Sequence, residues 1–279
     1  MKKIFTLLSV FLLMFLFSCD NQEKEFNFDD GVLVVGLEAN YPPFNWLETT
    51  KTDENVALLD QDNAYVAGYD VEIAKLIAEE LGLELQIRQV VWESLINDLK
   101  TNRIDLIIAG MSPTEERKEV INFSDNYYTV QHVVLAREGL NLSDSTDLND
   151  LKGLKASGQT ETVYANIIDW LGENYGVDVK ESISDIPTIV ESLRTSVIDF
   201  TIVEKPVALG LVAANPSFEI AFDVEENIFN VSDEDRNINI GLRKVDTTLL
   251  EKVNEALATI SNETRTNLMN QAIENSPQD

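Results

Sequence analysis

The segment that decides the fold spans residues 103–128 and reads RIDLIIAGMSPTEERKEVINFSDNYY. Its apolar run at 104–109 predicts a buried strand, and residues 114–120 predict a short helix. Gly110 lets a ligand approach the backbone, and the free N–H groups of a helix N-terminus bind anions. Arg117 lies one turn into the helix, where its guanidinium can hold a carboxylate through two parallel hydrogen bonds. The alternative is that Arg117 only pairs with a carboxylate of its own helix.

On both sides of this segment, short apolar runs alternate with amphipathic helical runs, which is typical of an α/β fold. The first half contains a βαβαβ unit at residues 32–37, 70–81 (with Asp70 as the N-cap), 83–87, 92–99 and 104–109. The second half repeats this alternation, with strands predicted at 154–156, 177–183 and 197–203 and helices at 160–171, 187–195 and 206–213. Crossover strands at 129–136 and 237–242 join the halves. We therefore expect two lobes, each a mainly parallel sheet flanked by helices, built from residues 31–128 with 236–279 and from residues 129–235.

The charge of the chain excludes several classes of partner. The 279 residues carry 49 acidic and 21 basic side chains, for a formal net charge of −28. Such a surface repels the phosphate backbone of nucleic acids. With one cysteine and one histidine in the whole chain, a zinc cluster and an internal disulfide framework are excluded. We predict no metal, no cofactor and no nucleic-acid partner.

The N-terminus has the pattern of a secretion signal. A basic start, Met1-Lys2-Lys3, precedes a mostly apolar run that ends at Phe17. This run is shorter than the roughly 20 apolar residues of a membrane-spanning helix. Because the run is followed by Ser18 and Cys19, and Leu16-Phe17-Ser18-Cys19 resembles a bacterial lipobox, we predict a lipoprotein signal peptide at 1–18 and lipidation of Cys19. Residues 19–30 would then be a polar tether to a lipid anchor outside the cytoplasm. The alternative is an ordinary secretory peptide with a chance cysteine.

A second turn has the features of the Gly110 turn. Residues 157–162 read SGQTET and stand between a predicted strand and a predicted helix. Alone, this segment predicts only a helix-capping turn. Together, two such helix starts, one in each lobe, favour one ligand held in the cleft between the lobes.

Several motifs resemble the type II solute-binding proteins of family 3, which bind polar and charged amino acids for ATP-driven (ABC) importers. The motifs are VLVVGLEANYPPF, GYDVEIAKLIAEELG, VVWESLINDL, the segment at 103–128, and VIDFTIVEKPVA. The resemblance covers residues 31–260. It implies the two-lobed periplasmic-binding-protein type II fold with a double hinge crossover, a free amino acid as ligand, and permease subunits as partners. We expect a monomer without enzymatic activity.

The resemblance also assigns residues to the two charged ends of the ligand. It implies that Arg117, with Ser112 and the backbone at Gly110, binds the α-carboxylate. Thr160 is the corresponding contact from the second lobe. Glu204 is implied to bind the α-ammonium group, although the family more often has aspartate at this position.

Three further residues are implied to contact the ligand side chain. Tyr41 and Trp92 flank it, and the alternative is that both are ordinary core aromatics. Glu38 is implied to reach its distal end, which favours a cationic amino acid such as lysine, arginine or ornithine, with glutamine next. The alternative for Glu38 is a hydrogen bond to nearby backbone. His132 is expected to be a packed or surface residue rather than a ligand contact.

Two other functions remain open at this point. Cyclohexadienyl dehydratases resemble this family, and such an enzyme would use Glu204 or Glu38 as a general acid. A ligand-sensing module is the second alternative. Two regions carry no assignment: the polar stretch 49–64, read as a loop or hairpin, and residues 262–279, which lack the tryptophan-bearing terminal helix of many family members.

Overall fold

The computed structural model describes residues 24–224 and 227–277. The signal peptide predicted at 1–18 and Cys19 lie outside these residues. Within the described part, no helix combines the length and the apolar character needed to cross a bilayer.

The chain alternates strands and helices along its length. The strands are β1 Val32–Leu37, β2 Asn40–Tyr41, β3 Asn45–Glu48, β4 Val56–Ala57, β5 Tyr65–Ala67, β6 Glu84–Gln89, β7 Leu106–Ile107, β8 Asn122–Thr129, β9 His132–Arg137, β10 Lys155–Ala156, β11 Asp178–Val179, β12 Phe200–Glu204, β13 Phe218–Ala221 and β14 Asn237–Leu242. The helices are α1 Tyr69–Leu81, α2 Leu95–Lys100, α3 Glu115–Val120, α4 Val163–Tyr175, α5 Ile186–Arg194, α6 Lys205–Ala214, α7 Thr247–Thr259 and α8 Asn262–Asn275.

These elements form two α/β lobes, as the sequence predicts. The first lobe has a five-stranded sheet in the order β6-β1-β7-β14-β8, in which β1 runs parallel to β6 and β7. The second lobe has a five-stranded sheet in the order β11-β10-β12-β9-β13, in which β10 runs parallel to β11 and β12. The chain passes between the lobes from β8 to β9 and returns from β13 to β14. The two-lobed fold with a double crossover is confirmed.

The polar stretch at 49–64 belongs to a small third sheet. Its strands lie in the antiparallel order β2-β3-β5-β4 beside the first lobe. Leu58 is buried there and forms an isolated bridge to Ile87 of β6. The stretch is therefore a hairpin that packs on the first lobe.

The start of α1 and the length of β11 differ from the sequence predictions. Gly68, with φ +126°, is the N-cap of α1, and Asp70 lies inside the helix with its side chain buried. A Cβ on Gly68 would come within 2.3 Å of the Phe44 carbonyl oxygen, so the close approach of the two backbones requires glycine. The strand expected at 177–183 is reduced to β11, and Ile183 forms only an isolated bridge to Gln159.

The chain joins the first lobe before residue 31, which the tether assignment of 19–30 does not anticipate. The Phe26 N–H donates to Asp246 Oδ1 at 2.7 Å. The Phe26 and Phe28 rings meet edge to face at 4.8 Å between centroids and pack against the core. Lys252 places its ammonium 5.7 Å from the centre of the Phe28 ring. Because burying two phenylalanines is favourable, residues 24–30 pack on the first lobe.

The C-terminal helix α8 packs against both lobes. It contacts α1 of the first lobe and α6 of the second. Met269 and Ala272 are buried in this contact, and Arg265 donates to the Asn126 carbonyl at 2.8 Å. The end of the chain therefore forms a regular helix without the tryptophan that the family resemblance implies.

Candidate functional site

The candidate site lies where the ends of β7 and β12 face each other across the cleft. Arg117, from α3, is only 9% exposed. Its Nη1 donates to the Ser112 carbonyl at 2.8 Å, and its Nη2 donates to the Glu161 carbonyl of the second lobe at 2.7 Å. The guanidinium lies 5.0 Å from the centre of the Trp92 ring. Burial lowers the pKa of Arg117 to about 10, so the group remains a buried cation at neutral pH.

Gly110 occupies a turn that only glycine adopts easily. Its φ is +62°, and a Cβ there would lie 3.3 Å from Cε1 of Tyr41. The Gly110 N–H donates to the Tyr127 hydroxyl at 3.1 Å, and Tyr127 in turn donates to Asp70 Oδ1 at 2.6 Å. Burial raises the pKa of Asp70 to about 7, and the hydrogen bonds from Tyr127 and Asn45 oppose that rise. This buried network, which sequence analysis did not find, holds the turn in place.

Glu204 ends β12 and is completely buried. The Tyr41 hydroxyl of the first lobe donates to its Oε2. Burial raises the pKa of Glu204, and hydrogen bonding from the hydroxyls of Tyr164 and Tyr41 opposes the rise. Within the described part of the chain, Glu204 Oε1 has no hydrogen-bond partner. The second lobe therefore supplies a buried carboxylate with acceptor capacity to spare.

Glu38 follows β1 and lies at the same interface between the lobes. It is 6% exposed. Burial, together with the nearby charges of Glu93 and Asp185, raises its pKa to about 7. Hydrogen bonds from the Gln159 side chain and the Trp92 backbone oppose the rise. Glu38 is therefore close to half ionised at neutral pH.

The structure does not bring the Thr160 hydroxyl to Arg117. That hydroxyl donates to Ser182 Oγ at 3.2 Å, and the Thr160 N–H donates to the Ile183 carbonyl at 2.8 Å. The second-lobe contact to Arg117 is instead the Glu161 carbonyl, in a residue whose φ is +58°. The predicted residues that the structure does bring together around the cleft are Glu38, Tyr41, Trp92, Gly110, Ser112, Arg117 and Glu204.

Two second-lobe side chains that sequence analysis did not assign to the site also lie here. Gln159 is buried beside Glu38 and donates to the Ser184 carbonyl at 3.1 Å. Tyr164, one turn into the predicted 160–171 helix, is buried beside Glu204. Its ring packs 5.6 Å from that of His132, and burial lowers the pKa of His132 to about 4. The only sequence feature that could have assigned Tyr164 to the site is its position on the N-terminal turn of α4.

Two α/β lobes that supply a buried cation and a buried carboxylate to one cleft define a solute-binding protein. The chain belongs to the bacterial extracellular solute-binding proteins, family 3, whose family model matches residues 33–274. The family places the protein outside the cytoplasm.

Two relatives are named for the amino acids that they bind. The chain is 31% identical over 225 residues to the arginine-binding extracellular protein ArtP of Bacillus subtilis (strain 168), covering 81% of this chain and 79% of ArtP. It is also 31% identical over 233 residues to the L-cystine-binding protein TcyJ of Escherichia coli (strain K12), covering 82% of this chain and 77% of TcyJ.

Solved structures agree with this likeness. AbpA, an amino acid ABC transporter substrate-binding protein from Streptococcus pneumoniae bound to L-arginine, superimposes with a TM-score of 0.72 at 25% identity, covering 88% of this chain and 96% of AbpA. The P235GK mutant of ArgBP from T. maritima superimposes with a TM-score of 0.69 at 29% identity, covering 89% and 97%. These comparisons support an amino-acid-binding protein of an ABC transporter and do not support the dehydratase alternative.

Proposed function

We propose that this protein captures a cationic L-amino acid, with a polar one such as glutamine next in preference, and delivers it to an ABC importer. The observation that carries the proposal is the pairing of buried Arg117 in one lobe with buried Glu204 in the other. An L-amino acid is a zwitterion, so its carboxylate and ammonium groups match these two charges. Arg117 and Glu204 together are called the clamp below.

Binding would replace contacts that the lobes make with each other. The ligand carboxylate takes the Arg117 donor that the Glu161 carbonyl accepts, and the ligand ammonium takes the place of the Tyr41 hydroxyl on Glu204. The first lobe binds first through Arg117, and hinge closure then brings Glu204 onto the ligand. Periplasmic binding proteins are a general example of such closure of two domains around a ligand. Only the closed form satisfies both ligand charges.

The preference for a cationic side chain rests on Glu38. Its carboxylate is buried between the lobes, and Glu93 and Asp185 lie close enough to raise its pKa. A cation placed here would relieve the repulsion among these carboxylates. Among the similar proteins, the arginine binder fits a cationic ligand, and the L-cystine binder fits a polar one.

The remaining parts of the proposal concern location and assembly. A lipid on Cys19 would hold the protein at the outer face of the cell membrane, where the closed form meets the permease subunits as a monomer. Labelling with radioactive palmitate, compared between the natural chain and Cys19→Ala, tests the anchor. Loss of amino-acid uptake on deletion of the protein distinguishes transport from the ligand-sensing alternative.

A thermal-shift panel tests the binding function. The protein, unfolded and refolded to remove bound ligand, is heated with each standard amino acid, ornithine and prephenate. A ligand at ~100 times its dissociation constant contributes about 2.7 kcal/mol, which raises the melting temperature by roughly 5 to 10 °C in a protein of this size. A rise in melting temperature with cationic amino acids supports the proposal. A rise with prephenate alone would contradict it.

A further inference from the structure

A cavity of about 910 Å³ lies between the lobes beside Arg117. Trp92 and Arg117 line it, whereas Glu38, Tyr41 and Glu204 do not. Its volume is near the upper end of the roughly 300–1,000 Å³ that ligand pockets occupy. The cavity therefore adjoins the clamp and has room for a molecule in addition to the clamped amino acid.

The cavity is not removed by bringing the lobes together. The lobes already touch through the hydrogen bond from Tyr41 to Glu204 and through the bond from Arg117 to the Glu161 carbonyl. The space beside them is therefore present while the lobes touch at these two points.

Both lobes contribute apolar walls to the cavity. The first lobe supplies Trp92, Ile96 and Met111, and the second supplies Val163, Ile167 and Trp170. Burial of an apolar ligand against such walls is favoured by about 25 cal/mol per Å². The indole of Trp170 adds a surface to which organic cations are attracted.

The charges around the cavity are mostly negative. The lining includes Glu93, Glu116, Glu161 and Asp235, and within the described residues none of these four carboxylates lies within 4.0 Å of a lysine or arginine nitrogen. The lining cations are Lys100 and Arg117. Arg117 is already hydrogen-bonded to two carbonyls and stacked on Trp92. These four carboxylates therefore attract a cation that enters the cavity.

We propose that this cavity is an accessory binding site for an organic cation with an apolar or aromatic body, and that it adjoins the amino-acid clamp at Arg117. The apolar body packs against the walls and the cationic group faces the carboxylates. Because the walls come from both lobes, the occupant stabilises their contact. Its affinity and that of the clamped amino acid are then linked, and each changes the other by the same factor.

The test uses monodansylcadaverine, a fluorescent amine with an aromatic body and no carboxylate for Arg117. Its fluorescence is measured on titration with the purified protein, and burial of the dansyl group is expected to raise the emission. Asn166 is an exposed residue of the cavity wall, so Asn166→Trp fills the space without altering the clamp. This variant is expected to weaken probe binding by roughly tenfold or more.

A matched pair of variants tests the charge preference. Glu116 lines the cavity, whereas Glu119 of the same helix is exposed and does not. Glu116→Gln is expected to weaken probe binding about twofold to threefold, with Glu119→Gln unchanged. Equal effects of the two variants, or no effect of Asn166→Trp, would overturn the proposal.

Competition with L-arginine separates the accessory site from the clamp. With two linked sites, added L-arginine changes the apparent dissociation constant of the probe until the clamp is saturated, and the value then stays constant. A dissociation constant that rises without limit would place both molecules in one site and overturn the accessory site. That result would leave amino-acid binding itself intact.

Discussion

The two turns that face each other across the cleft hold their contacts in different ways. In the first lobe, the Gly110 N–H is hydrogen-bonded to Tyr127, which is hydrogen-bonded to Asp70, and Arg117 extends from a capped helix. In the second lobe, the turn presents the Glu161 carbonyl to Arg117, while the Thr160 hydroxyl bonds to Ser182. The first turn contributes side chains on a rigid support, and the second contributes backbone.

This difference assigns different roles to the lobes. A buried, charged side chain supplies much of the binding energy because its hydrogen bonds are charge-assisted. A backbone carbonyl that accepts from Arg117 holds the lobes together but must release the guanidinium when a ligand carboxylate binds. The first turn is therefore expected to determine affinity, and the second to determine how readily the lobes separate.

Arg117→Ala is expected to have the largest effect. Charge-assisted hydrogen bonds contribute roughly 1.5 to 3 kcal/mol each, and the ligand carboxylate would be left buried without a partner. The amino-acid affinity should fall by at least ~100-fold. Calorimetric titration checks this, with Arg103→Ala as the matched control because Arg103 is exposed and forms an ion pair with Asp98 at 3.6 Å. Natural affinity in Arg117→Ala would show that the carboxylate binds elsewhere.

Glu204→Gln is expected to cause the second-largest loss of amino-acid affinity. It keeps the shape of the side chain and removes the charge that faces the ligand ammonium, so affinity should fall about tenfold to hundredfold. Glu204→Asp keeps the charge and shortens the side chain by one methylene. We expect this variant to lose less affinity than Glu204→Gln. If Glu204→Asp loses more affinity than Glu204→Gln, the length of the side chain rather than its charge decides binding.

The pH dependence of binding should follow Glu38. Because burial raises its pKa to about 7, Glu38 is mostly ionised at pH 8 and mostly protonated at pH 6. A cationic ligand prefers the ionised form, so its affinity should fall up to about tenfold between pH 8 and pH 6. Calorimetry at the two pH values checks this, and Glu38→Gln should flatten the profile. An unchanged profile in that variant would remove Glu38 from the ligand site.

In the absence of ligand, ionisation of Glu38 lowers the stability of the fold. The pKa of Glu38 is raised from 4.5 to about 7, so its contribution to stability is fully present below pH 4.5 and is lost as the pH rises through 7. Urea unfolding of the natural protein should show a free energy that falls with pH across this window, by up to about 3 kcal/mol from Glu38. Glu38→Gln should reduce the slope, and Asp70, whose pKa is also raised to about 7, should account for part of what remains.

Thr160→Ala is expected to have the smallest effect. Its hydroxyl bonds to Ser182 at the surface rather than to Arg117, so the amino-acid affinity should change about threefold or less. Gln159→Ala removes the partner of Glu38 and should change affinity more. Measuring both variants by calorimetry separates a side-chain role of this turn from a backbone role. A larger loss in Thr160→Ala would favour the family assignment of that residue.

The elements that were predicted most accurately are those that local sequence patterns specify. The return strand at 237–242 has the bounds of β14, and the helix predicted at 206–213 lies within α6. These elements are specified by their own apolar periodicity and by proline near the helix start. The position of Arg117 one turn into a capped helix is likewise a local feature.

The parts that sequence analysis missed depend on contacts between distant residues. Tyr127 accepts from the Gly110 N–H and donates to Asp70, which lies 57 residues from Tyr127 in the chain. The meeting of Tyr41 with Glu204 spans 163 residues. No periodicity encodes such pairs, because they arise only when the lobes fold and face each other. The docking of Phe26 and Phe28 was missed for the same reason, since their partners lie near residues 246–252.

A crystal structure of the protein with L-arginine bound would test the central claim most directly. The account predicts the ligand carboxylate within about 3 Å of the Arg117 guanidinium and the ligand ammonium at the same distance from the Glu204 carboxylate. The Tyr41 hydroxyl and the Glu161 carbonyl would no longer bond to those two groups. A complex in which the direct bonds from Tyr41 to Glu204 and from Arg117 to Glu161 persist, with the ligand elsewhere, would contradict it.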